Sequence, residues 1–554
     1  MKRTYRILLP VLCIVTLLLS ACGGTSGVEN SESATTRLEK SAPDENGYYA
    51  VTEELLSVLK STEYTKPKNI IYMIGDGMGA NIIQATQEKY ESQLYGNKLA
   101  IHYLSKVGTH CTYSASDKIT DSAAGGTALA TGYKTANYTV GMNTDHTKEY
   151  KSVLELAAEK GKSTGIIATK SVTDATPAAF TAHVEDRKMQ NEIANQQLEK
   201  LLDGTLDLVL GGGSEYYEYY ANEELLEEAE DKGLSYSKMW EETLDDKLPL
   251  VGLYARDALN TTASYVPTLA EMTHFALNLL SEDENGFFLM VEGSQIDTKA
   301  HDNELEKEIN EMYMFDSAIA VAMRYVALHP DTVLIVTADH ETGGLYFPKE
   351  GYGNGESYIY LRDDHTQINV PVYALGHGIE TLGETTENTD IAGFVASLLG
   401  EEEFGEESVV TNISDGTETI TLTFDENGKC QEIWTEELAT KIELAKNVRA
   451  LHLTVCNVGD ERVTLPALKI QIADGTSYDA IPQYAYIDKG ETLRLTYVLP
   501  VELWQDSIFV DVNSIQISYD TVEENAWRST FGYDVEEVVL GITEIAITER
   551  GLEQ

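Results

Sequence analysis

The chain has 554 residues, 42% of them hydrophobic, and it carries a formal net charge of -51 at pH 7. A chain with this many apolar residues can bury a large core, whereas so strong a negative charge repels nucleic acid and anionic membrane surfaces. The composition therefore excludes a nucleic-acid-binding protein. It also implies that any anionic small molecule is attracted locally, for example by bound metal ions.

Residues 1–21 predict a signal peptide. Lys2, Arg3 and Arg6 precede an apolar run, Ile7–Leu19, that is too short for a stable membrane-spanning helix. The run leads into the box Leu-Ser-Ala-Cys22, which resembles a bacterial lipoprotein cleavage signal. We therefore expect export, a lipid on Cys22 and anchoring on the outer face of the cell membrane, or facing a periplasm. Cleavage as an ordinary signal peptide is the alternative.

Residues 22–50, rich in Ser, Thr, Glu and Gly, predict a flexible tether, and residues 51–404 a folded α/β domain. In that domain, apolar runs alternate with segments of helical periodicity, which predicts a mostly parallel central sheet with helices on both faces. The predicted strands are Ile70–Ile74, Thr164–Ala168, Leu206–Leu210, Phe287–Val291, Thr332–Thr337 and Val370–Leu375. The predicted helices include Ser152–Lys160, Asn191–Leu202 and Asn303–Leu328.

Residues 405–554 follow a different pattern. Apolar residues such as Leu451, Leu453 and Val455 alternate with polar ones, and turn signals such as Lys489-Gly490 separate the alternating runs. Alternation with period two is typical of half-buried antiparallel strands. We therefore predict a β-rich accessory domain, antiparallel and sandwich-like.

Acidic and histidine residues follow directly after several predicted strands. Asp76, Glu292 and the pair Asp339-His340 each stand at the end of one such strand. Open α/β sheets bind their ligands at the carboxyl edge of the strands. Carboxylates and imidazoles that converge there would repel one another or stay unsatisfied unless cations bind. The sequence therefore predicts a metal site at this edge.

Each element has a plainer interpretation when it is taken alone. The glycines of Ile-Gly-Asp76-Gly-Met-Gly suggest a dinucleotide-binding turn, although the full G-x-G-x-x-G spacing is missing. Asp297 and His301 share one helix face at i, i+4, as zinc ligands or as a solvated pair. Ser122 stands where a helix begins, either as an N-cap or at a phosphate site. Thr176, before a proline, also fits an N-cap.

Together, six motifs in the same order resemble the alkaline phosphatase family. They are Ile-Gly-Asp76-Gly-Met-Gly, Thr-Asp-Ser122-Ala-Ala, Asp174-Ala-Thr176-Pro-Ala-Ala-Phe-Thr-Ala-His-Val-Glu-Asp-Arg187, Val-Glu292-Gly-Ser-Gln-Ile-Asp297-Thr-Lys-Ala-His301, Val-Thr-Ala-Asp339-His340-Glu-Thr-Gly-Gly, and Asp364-His365-Thr366. The resemblance implies an alkaline phosphatase-like fold and a hydrolase of small-molecule phosphate monoesters. Homodimers are common in the family, so a second copy of this chain is one expected partner.

The resemblance also implies a role for each residue. Ser122 would be the nucleophile that forms a phosphoserine, Arg187 would hold two phosphate oxygens, and Asp174 would stand beside the third metal. The implied metal ligands fall into three sets: Asp297, His301 and His365 for one zinc; Asp76, Asp339 and His340 for a second zinc; and Asp76, Thr176 and Glu292 for magnesium. Mixed imidazole and carboxylate ligands suit zinc, and an all-oxygen set suits magnesium.

One departure and two rival functions stay open. Thr298 stands where relatives often carry a larger side chain, which leaves phosphate release undetermined. The nearest rival is a phosphodiesterase or another ester hydrolase of the same superfamily. A sulfatase would need x-Pro-x-Arg after its nucleophile, whereas Ala-Ala follows Ser122. The other rival is a surface binding protein that acts through the C-terminal β-domain.

Overall fold

The computed structural model describes residues 49–219, 222–345, 358–382 and 385–406, with Thr35 alone before them and a set of strands and turns from 408 to 550. The predicted signal peptide, Cys22 and nearly all of the predicted tether lie outside the described residues. Among the helices of the described part, none is long and apolar enough to cross a membrane.

A ten-stranded sheet forms the centre of the region before residue 408. Its strands are β1 (Asn69–Gly75), β2 (Ser105–Cys111), β3 (Ser163–Ser171), β4 (Leu208–Gly212), β5 (Ser235–Ser237), β6 (Leu250–Leu253), β7 (Phe287–Gly293), β8 (Thr332–Thr337), β9 (Val370–Leu375) and β10 (Thr385–Glu387). They lie in the order β10-β2-β9-β8-β1-β7-β3-β4-β6-β5. Only the pairs that β9 makes with β2 and β8 are antiparallel among these described strands. The predicted mostly parallel sheet is confirmed.

Helices pack on both faces of this sheet. They are α1 (Glu53–Ser61), α2 (Ala80–Tyr90), α3 (Ser122–Thr131), α4 (Val153–Glu159), α5 (Ala175–Thr181), α6 (Gln190–Asp203), α7 (Ser214–Tyr217), α8 (Glu223–Asp231), α9 (Trp240–Thr243), α10 (Leu269–Leu280), α11 (Gln295–His301), α12 (Leu305–Leu328) and α13 (Asn388–Leu398). The three predicted helices correspond to α4, α6 and α12. A capping box at Ser152 and Glu155 fixes the start of α4, because each side chain accepts a hydrogen bond from the other residue's backbone N–H.

The central strand β1 shows why this part of the sequence is almost continuously apolar. All seven of its residues are buried. Ile71 and Met73 point into the core on the face covered by α12, whereas Ile70 and Tyr72 point into the core on the face covered by α5. Because successive side chains of a strand point to opposite faces, a strand covered on both sides needs apolar residues at every position.

The C-terminal region consists of antiparallel sheets. Its strands are β11 (Ser408–Ser414), β12 (Glu418–Thr423), β13 (Ile433–Thr435), β14 (Val448–Asn457), β15 (Val463–Thr464), β16 (Ala467–Ile472), β17 (Ser477–Ala480), β18 (Tyr486–Ile487), β19 (Thr492–Val498), β20 (Val512–Ser518) and β21 (Glu537–Arg550). One sheet has the order β11-β21-β14-β19, with β12 also on β21, and another the order β13-β20-β16-β17. The predicted change to antiparallel β-structure is confirmed, while the domain boundaries stay a prediction.

Candidate active site

The carboxyl ends of three adjacent strands form the floor of the site. In the order β8-β1-β7, Asp76 follows β1 directly, Glu292 lies in β7 beside Ile74, and Asp339 follows β8 by two residues. Parallel strands end at the same edge, so these carboxylates come together from distant parts of the sequence. All three are buried.

The first group of ligand-type side chains is Asp297, His301 and His365, called the outer group here. Asp297 and His301 lie one turn apart on α11, with His301 Nε2 3.3 Å from Asp297 Oδ1. His365 Nε2 lies 3.4 Å from the same Oδ1 and 3.1 Å from His301 Nε2. One carboxylate oxygen and two imidazole nitrogens therefore face one another.

The second nitrogen of each outer imidazole is already engaged. His301 Nδ1 lies 2.6 Å from the carbonyl oxygen of Asp363, and His365 Nδ1 lies 2.8 Å from that of Thr120. A carbonyl only accepts hydrogen bonds, so we assign the proton to each Nδ1, which leaves both Nε2 lone pairs directed at the common point. This arrangement, with a backbone carbonyl behind each imidazole, is typical of metal-binding histidines.

The second group is Asp76, Asp339 and His340, called the inner group, and it is almost fully buried. His340 Nε2 lies 3.5 Å from Asp76 Oδ1 and 3.3 Å from Asp339 Oδ2. Gly77 adopts a φ of +72°, and a Cβ there would meet the backbone of Asp297 at 2.9 Å. The glycine after Asp76 thus allows β1 and α11 to approach closely, which is a packing role rather than a dinucleotide-binding one.

The two groups are linked through Thr342. Its hydroxyl donates to Asp297 Oδ1 at 2.7 Å and lies 3.1 Å from His340 Nδ1, which can donate to it. The rings of His340 and His365 stack with their centroids 3.6 Å apart. In each group the ligand-type atoms lie within 4.8 Å of one another, close enough for one metal ion.

Ser122 stands beside the inner group at the first turn of α3. Its Oγ lies 3.1 Å from His340 Nε2. The N-cap is Asp121, whose Oδ1 accepts a hydrogen bond from the N–H of Ala124. The alternative that Ser122 is itself an N-cap is therefore wrong. Its hydroxyl is left free of the capping role at the positive end of a helix.

Thr176 and Glu292 lie at the remaining side of the inner group. Thr176 Oγ1 is 3.4 Å from Asp339 Oδ2, and Glu292 Oε2 accepts a hydrogen bond of 2.6 Å from Ser294. Thr176 is the second residue of α5, and Asp174 is the N-cap that accepts from the N–H of Ala175. The N-cap alternative for Thr176 is therefore wrong as well.

Arg187 is held by two carboxylates at the edge of the site. Nη1 donates to Asp121 Oδ2 at 3.2 Å and Nη2 donates to Asp174 Oδ1 at 3.0 Å. Asp174 also pairs with Lys170, whose Nζ lies 2.7 Å from Oδ2. Asp121 thus caps the helix of Ser122 with one oxygen and orients Arg187 with the other.

The pKa shifts of the ionisable side chains differ between the inner and the outer group. In the inner group, burial and the neighbouring Asp339 raise the pKa of Asp76 well above its usual value, and burial and Asp297 raise the pKa of Asp339 to about 7. Burial likewise raises the pKa of Glu292 to about 8 and lowers the pKa of His340. Burial without a partner cation thus favours the neutral forms.

In the outer group the protein itself supplies the opposite charge. Burial raises the pKa of Asp297, but hydrogen bonds with His301 and His365 outweigh it and hold that pKa well below the usual range. The same hydrogen bond with Asp297 raises the pKa of His301 to about 9. A proton shared there takes the position that a metal ion would take, so metal binding would release it.

The donor set therefore fits metal ions on structural grounds. Asp76 Oδ1 is buried without a hydrogen-bond partner. The Nε2 atoms of His301 and His365 lie 3.1 Å apart and face the same point, which a cation can occupy once the proton shared with Asp297 is released. A cation at the inner group would also satisfy Asp76 Oδ1, because a buried carboxylate oxygen without a partner is costly.

Sequence reasoning did not assign roles to Lys170, Thr342 or Asp121. Lys170 lies near the carboxyl end of β3, at the same sheet edge as the predicted ligands. This position in the sequence could have indicated that Lys170 belongs to the site. Nothing in the sequence marks the Thr342 hydroxyl as the link between the two groups. Two histidines outside the candidate site contact residues of the fold: His110 Nε2 lies 2.9 Å from Thr337 Oγ1, and His183 Nε2 lies 3.0 Å from Glu155 Oε1.

Fold and site define the class: an open α/β sheet that carries two carboxylate–imidazole groups and a helix-start serine at its carboxyl edge. Residues 67–360 match the family model described as Alkaline phosphatase. The chain belongs to the alkaline phosphatase family.

Named relatives give the same family. "Alkaline phosphatase 4" of Bacillus subtilis (strain 168) is 38% identical over 305 residues, which cover 53% of this chain and 66% of that protein. "Alkaline phosphatase" of Escherichia coli (strain K12) is 31% identical, with 64% of this chain and 91% of that protein covered. The solved alkaline phosphatase from the Antarctic bacterium TAB5 is 30% identical, with a TM-score of 0.55 and 61% and 99% of the two chains covered. The chain thus spans just under two thirds of the Bacillus relative.

Proposed function

We propose that this protein is a metal-dependent phosphate monoester hydrolase that works through a phosphoserine at Ser122. The observation that carries the proposal is the position of this hydroxyl. Ser122 Oγ lies 3.1 Å from His340 Nε2, in the inner group, and at the N-terminus of α3. A serine hydroxyl is a weak nucleophile unless a neighbouring group takes up its proton or lowers its pKa. Membership of the alkaline phosphatase family supports the same assignment.

The metal ions follow from the donor chemistry. We assign one zinc to the outer group, a second zinc to the inner group, and magnesium to the oxygen atoms of Asp76, Thr176 and Glu292. Imidazole with carboxylate suits zinc, and hydroxyl with carboxylate suits a hard ion such as magnesium. When bound, such ions supply Lewis-acid stabilisation of the attacking and leaving oxygens.

The side chains divide the remaining work. Arg187 binds two non-bridging phosphate oxygens, and Asp121 and Asp174 hold its guanidinium in place for that contact. In the first step the phosphoryl group moves from the ester oxygen to Ser122 Oγ, and the alcohol leaves. In the second step water attacks the phosphoserine, releases inorganic phosphate and restores the hydroxyl.

The setting of this activity is also a proposal. We infer that the chain is exported and lipid-anchored through Cys22 on the outer face of the membrane or facing a periplasm, where it hydrolyses small phosphate monoesters. Release of the protein into the soluble fraction by Cys22→Ala would support the anchor, and unchanged membrane retention would exclude it. A homodimer is expected from the family, and light scattering of the detergent-solubilised chain would reveal a monomer if this is wrong.

The decisive experiment compares a phosphate monoester with a diester. Protein without its first 22 residues is assayed on p-nitrophenyl phosphate and on bis(p-nitrophenyl) phosphate at mildly alkaline pH. Each assay is run before chelation, after EDTA, and after zinc and magnesium are restored. We expect monoester hydrolysis to vanish with EDTA and to return with the metals. Faster hydrolysis of the diester would favour the phosphodiesterase, and no hydrolysis with full zinc content would favour a binding protein.

A further inference from the structure

We propose that Tyr138 forms an aromatic subsite beside Arg187 which favours phosphate monoesters with a planar leaving group, as in nucleoside monophosphates. The proposal rests on the proposed phosphatase activity and names a substrate class for it. It rests on three features of Tyr138: an unusual backbone conformation, backbone hydrogen bonds to two residues of the site, and a side-chain ring that is exposed at the surface.

The backbone of Tyr138 is held in the left-handed region, with φ of 73°. Among the described residues other than glycine, three more have a positive φ: Asn97, His146 and Asn303. Asparagine and histidine tolerate this region better than other residue types do. A tyrosine there is an outlier, and strained conformations of this kind persist where the surroundings fix them, often at functional sites. A glycine or an asparagine would meet the same backbone requirement with less strain.

Two hydrogen bonds fix Tyr138 to the site. Its N–H donates to Asp121 Oδ1 at 3.1 Å, and its carbonyl accepts from the backbone N–H of Arg187 at 2.8 Å. Asp121 precedes Ser122 and also receives the guanidinium of Arg187. Tyr138 is therefore hydrogen-bonded to the backbone of Arg187, whose guanidinium would hold the phosphate oxygens, and to Asp121, the cap of the nucleophile's helix.

The ring itself does not serve the core. Tyr138 is 54% exposed, and Lys188 Nζ lies 5.5 Å from the centre of its ring. An exposed aromatic ring with a cation beside it, on a residue bonded to the backbone of a phosphate-binding arginine, has the composition of a site for a flat ring attached to a phosphate.

A nucleobase is the leaving-group chemistry that best matches these side chains. Bases stack on exposed aromatic side chains without needing specific hydrogen bonds. Arg187, which is bonded to Tyr138 through its backbone, would receive the phosphate. A small polyol such as glycerol offers no flat surface for this contact. The strongly acidic chain disfavours long polyanions, so we expect mononucleotides rather than nucleic acid.

The test measures selectivity in the full-length chain purified in detergent. Steady-state kcat and KM are determined for adenosine 5′-monophosphate and for β-glycerol phosphate, with wild type, Tyr138→Gly, Tyr138→Asn and Tyr138→Phe. Glycine and asparagine suit the left-handed backbone, so these variants keep the local fold while they remove the ring. Tyr138→Phe keeps the ring. Tyr95→Asn removes an exposed tyrosine from a turn elsewhere and serves as the matched control.

We expect wild type to prefer the nucleotide. The ratio of the two kcat/KM values should fall about tenfold in Tyr138→Gly and Tyr138→Asn, mainly through KM for the nucleotide, which is the size of one lost base–aromatic stack. Tyr138→Phe and Tyr95→Asn should keep the wild-type ratio. Equal changes for both substrates, or no change, would overturn the subsite while leaving the phosphatase intact. If wild type hydrolyses neither substrate with its metals bound, the proposed function fails and the subsite with it.

Discussion

Two clusters of carboxylates lie near Ser122 and differ in how their charge is balanced: a partly exposed paired cluster of Asp121 and Asp174, and a fully buried unpaired cluster of Asp76, Glu292 and Asp339. In the paired cluster, Asp174 contacts Lys170 Nζ at 2.7 Å and Arg187 Nη2 at 3.0 Å. Burial raises the pKa of Asp174, but the two cations outweigh it and hold that pKa well below its usual range. In the unpaired cluster of Asp76, Glu292 and Asp339, burial and neighbouring carboxylates raise all three pKa values.

Burial alone therefore does not decide the charge of these groups. Lys170, the cation whose charge acts on both Asp76 and Glu292, is already bonded to Asp174. The unpaired cluster must either take up protons or bind external cations, whereas the paired cluster is balanced by the protein. The contrast indicates which carboxylates are shaped for metal ions and which ones position Arg187 for the phosphate.

The largest expected effect comes from removing the Ser122 hydroxyl. Ser122→Ala should lower kcat on p-nitrophenyl phosphate by at least about a thousandfold, because the variant has no nucleophile to phosphorylate. Zinc and magnesium contents, measured by atomic emission, should stay near those of wild type, since neither cluster loses a charged group.

Ser214→Ala is the matched control for this variant, because Ser214 is a buried serine at the start of another helix, α7. It should keep both kcat and metal content. Loss of metal together with activity in Ser122→Ala would show that the serine supports the metal site rather than attacking the substrate.

The second prediction compares one carboxylate from each cluster after substitution by asparagine. Asp339→Asn should weaken metal binding at least about tenfold. The stability of the metal-free protein should not fall, because a neutral amide replaces a buried carboxylate that has no cation of its own. Its Oδ1 can still accept from the N–H groups of Gly77 and His340. Asp174→Asn should instead destabilise the metal-free protein by about 3 kcal/mol, since it leaves Lys170 and Arg187 without their shared anion.

Thermal unfolding in EDTA and zinc titration of the metal-free variants measure these two effects. Equal destabilisation by both substitutions in EDTA would contradict the contrast, because it would mean that Asp339 is balanced within the protein as Asp174 is.

The sequence predicted the parts of this site that depend on residue type and order. Asp76, Glu292 and Asp339 were found because each follows an apolar run, and parallel strands bring such positions to one edge. The N-cap alternatives for Ser122 and Thr176 had to stay open, because the actual caps, Asp121 and Asp174, are equally good cap residues one or two positions earlier.

What stayed hidden depends on side-chain and backbone geometry that the order of residues does not display. Lys170 pairs with Asp174 only because β3 and α5 place them side by side, and a lysine at the end of a strand has no distinctive pattern. The link of Thr342 to Asp297 spans 45 positions. Tyr138 is unusual for its φ and its bond to Asp121, neither of which a single sequence displays.

The smallest expected effect concerns two carboxylates outside the site, Glu155 and Asp316, and the pH dependence of their contributions to stability. Glu155 is a paired carboxylate, with Oε1 3.0 Å from His183 Nε2 and 2.7 Å from Lys200 Nζ, and these partners outweigh burial and lower its pKa to about 2. Asp316 is an unpaired one, and burial raises its pKa to about 7 although the N–H groups of Ala100 and Ile101 donate to it. Their contributions to stability should change with pH in opposite directions.

For Glu155 the folded pKa lies below the unfolded value of about 4.3, so its contribution is present above pH 4.3 and is lost as the pH falls towards 2. This contribution to the free energy of unfolding amounts to about 2–3 kcal/mol. Glu155→Gln should remove the loss of stability that wild type shows as the pH falls below about 4. For Asp316 the folded pKa is the higher one, so stability should fall as the pH rises from about 4 to about 7, and Asp316→Asn should flatten that range. Chemical unfolding of both variants and wild type across pH 3–8 measures the slopes. Slopes of the same sign at the two sites would show that partner cations do not decide the charge of buried carboxylates in this fold.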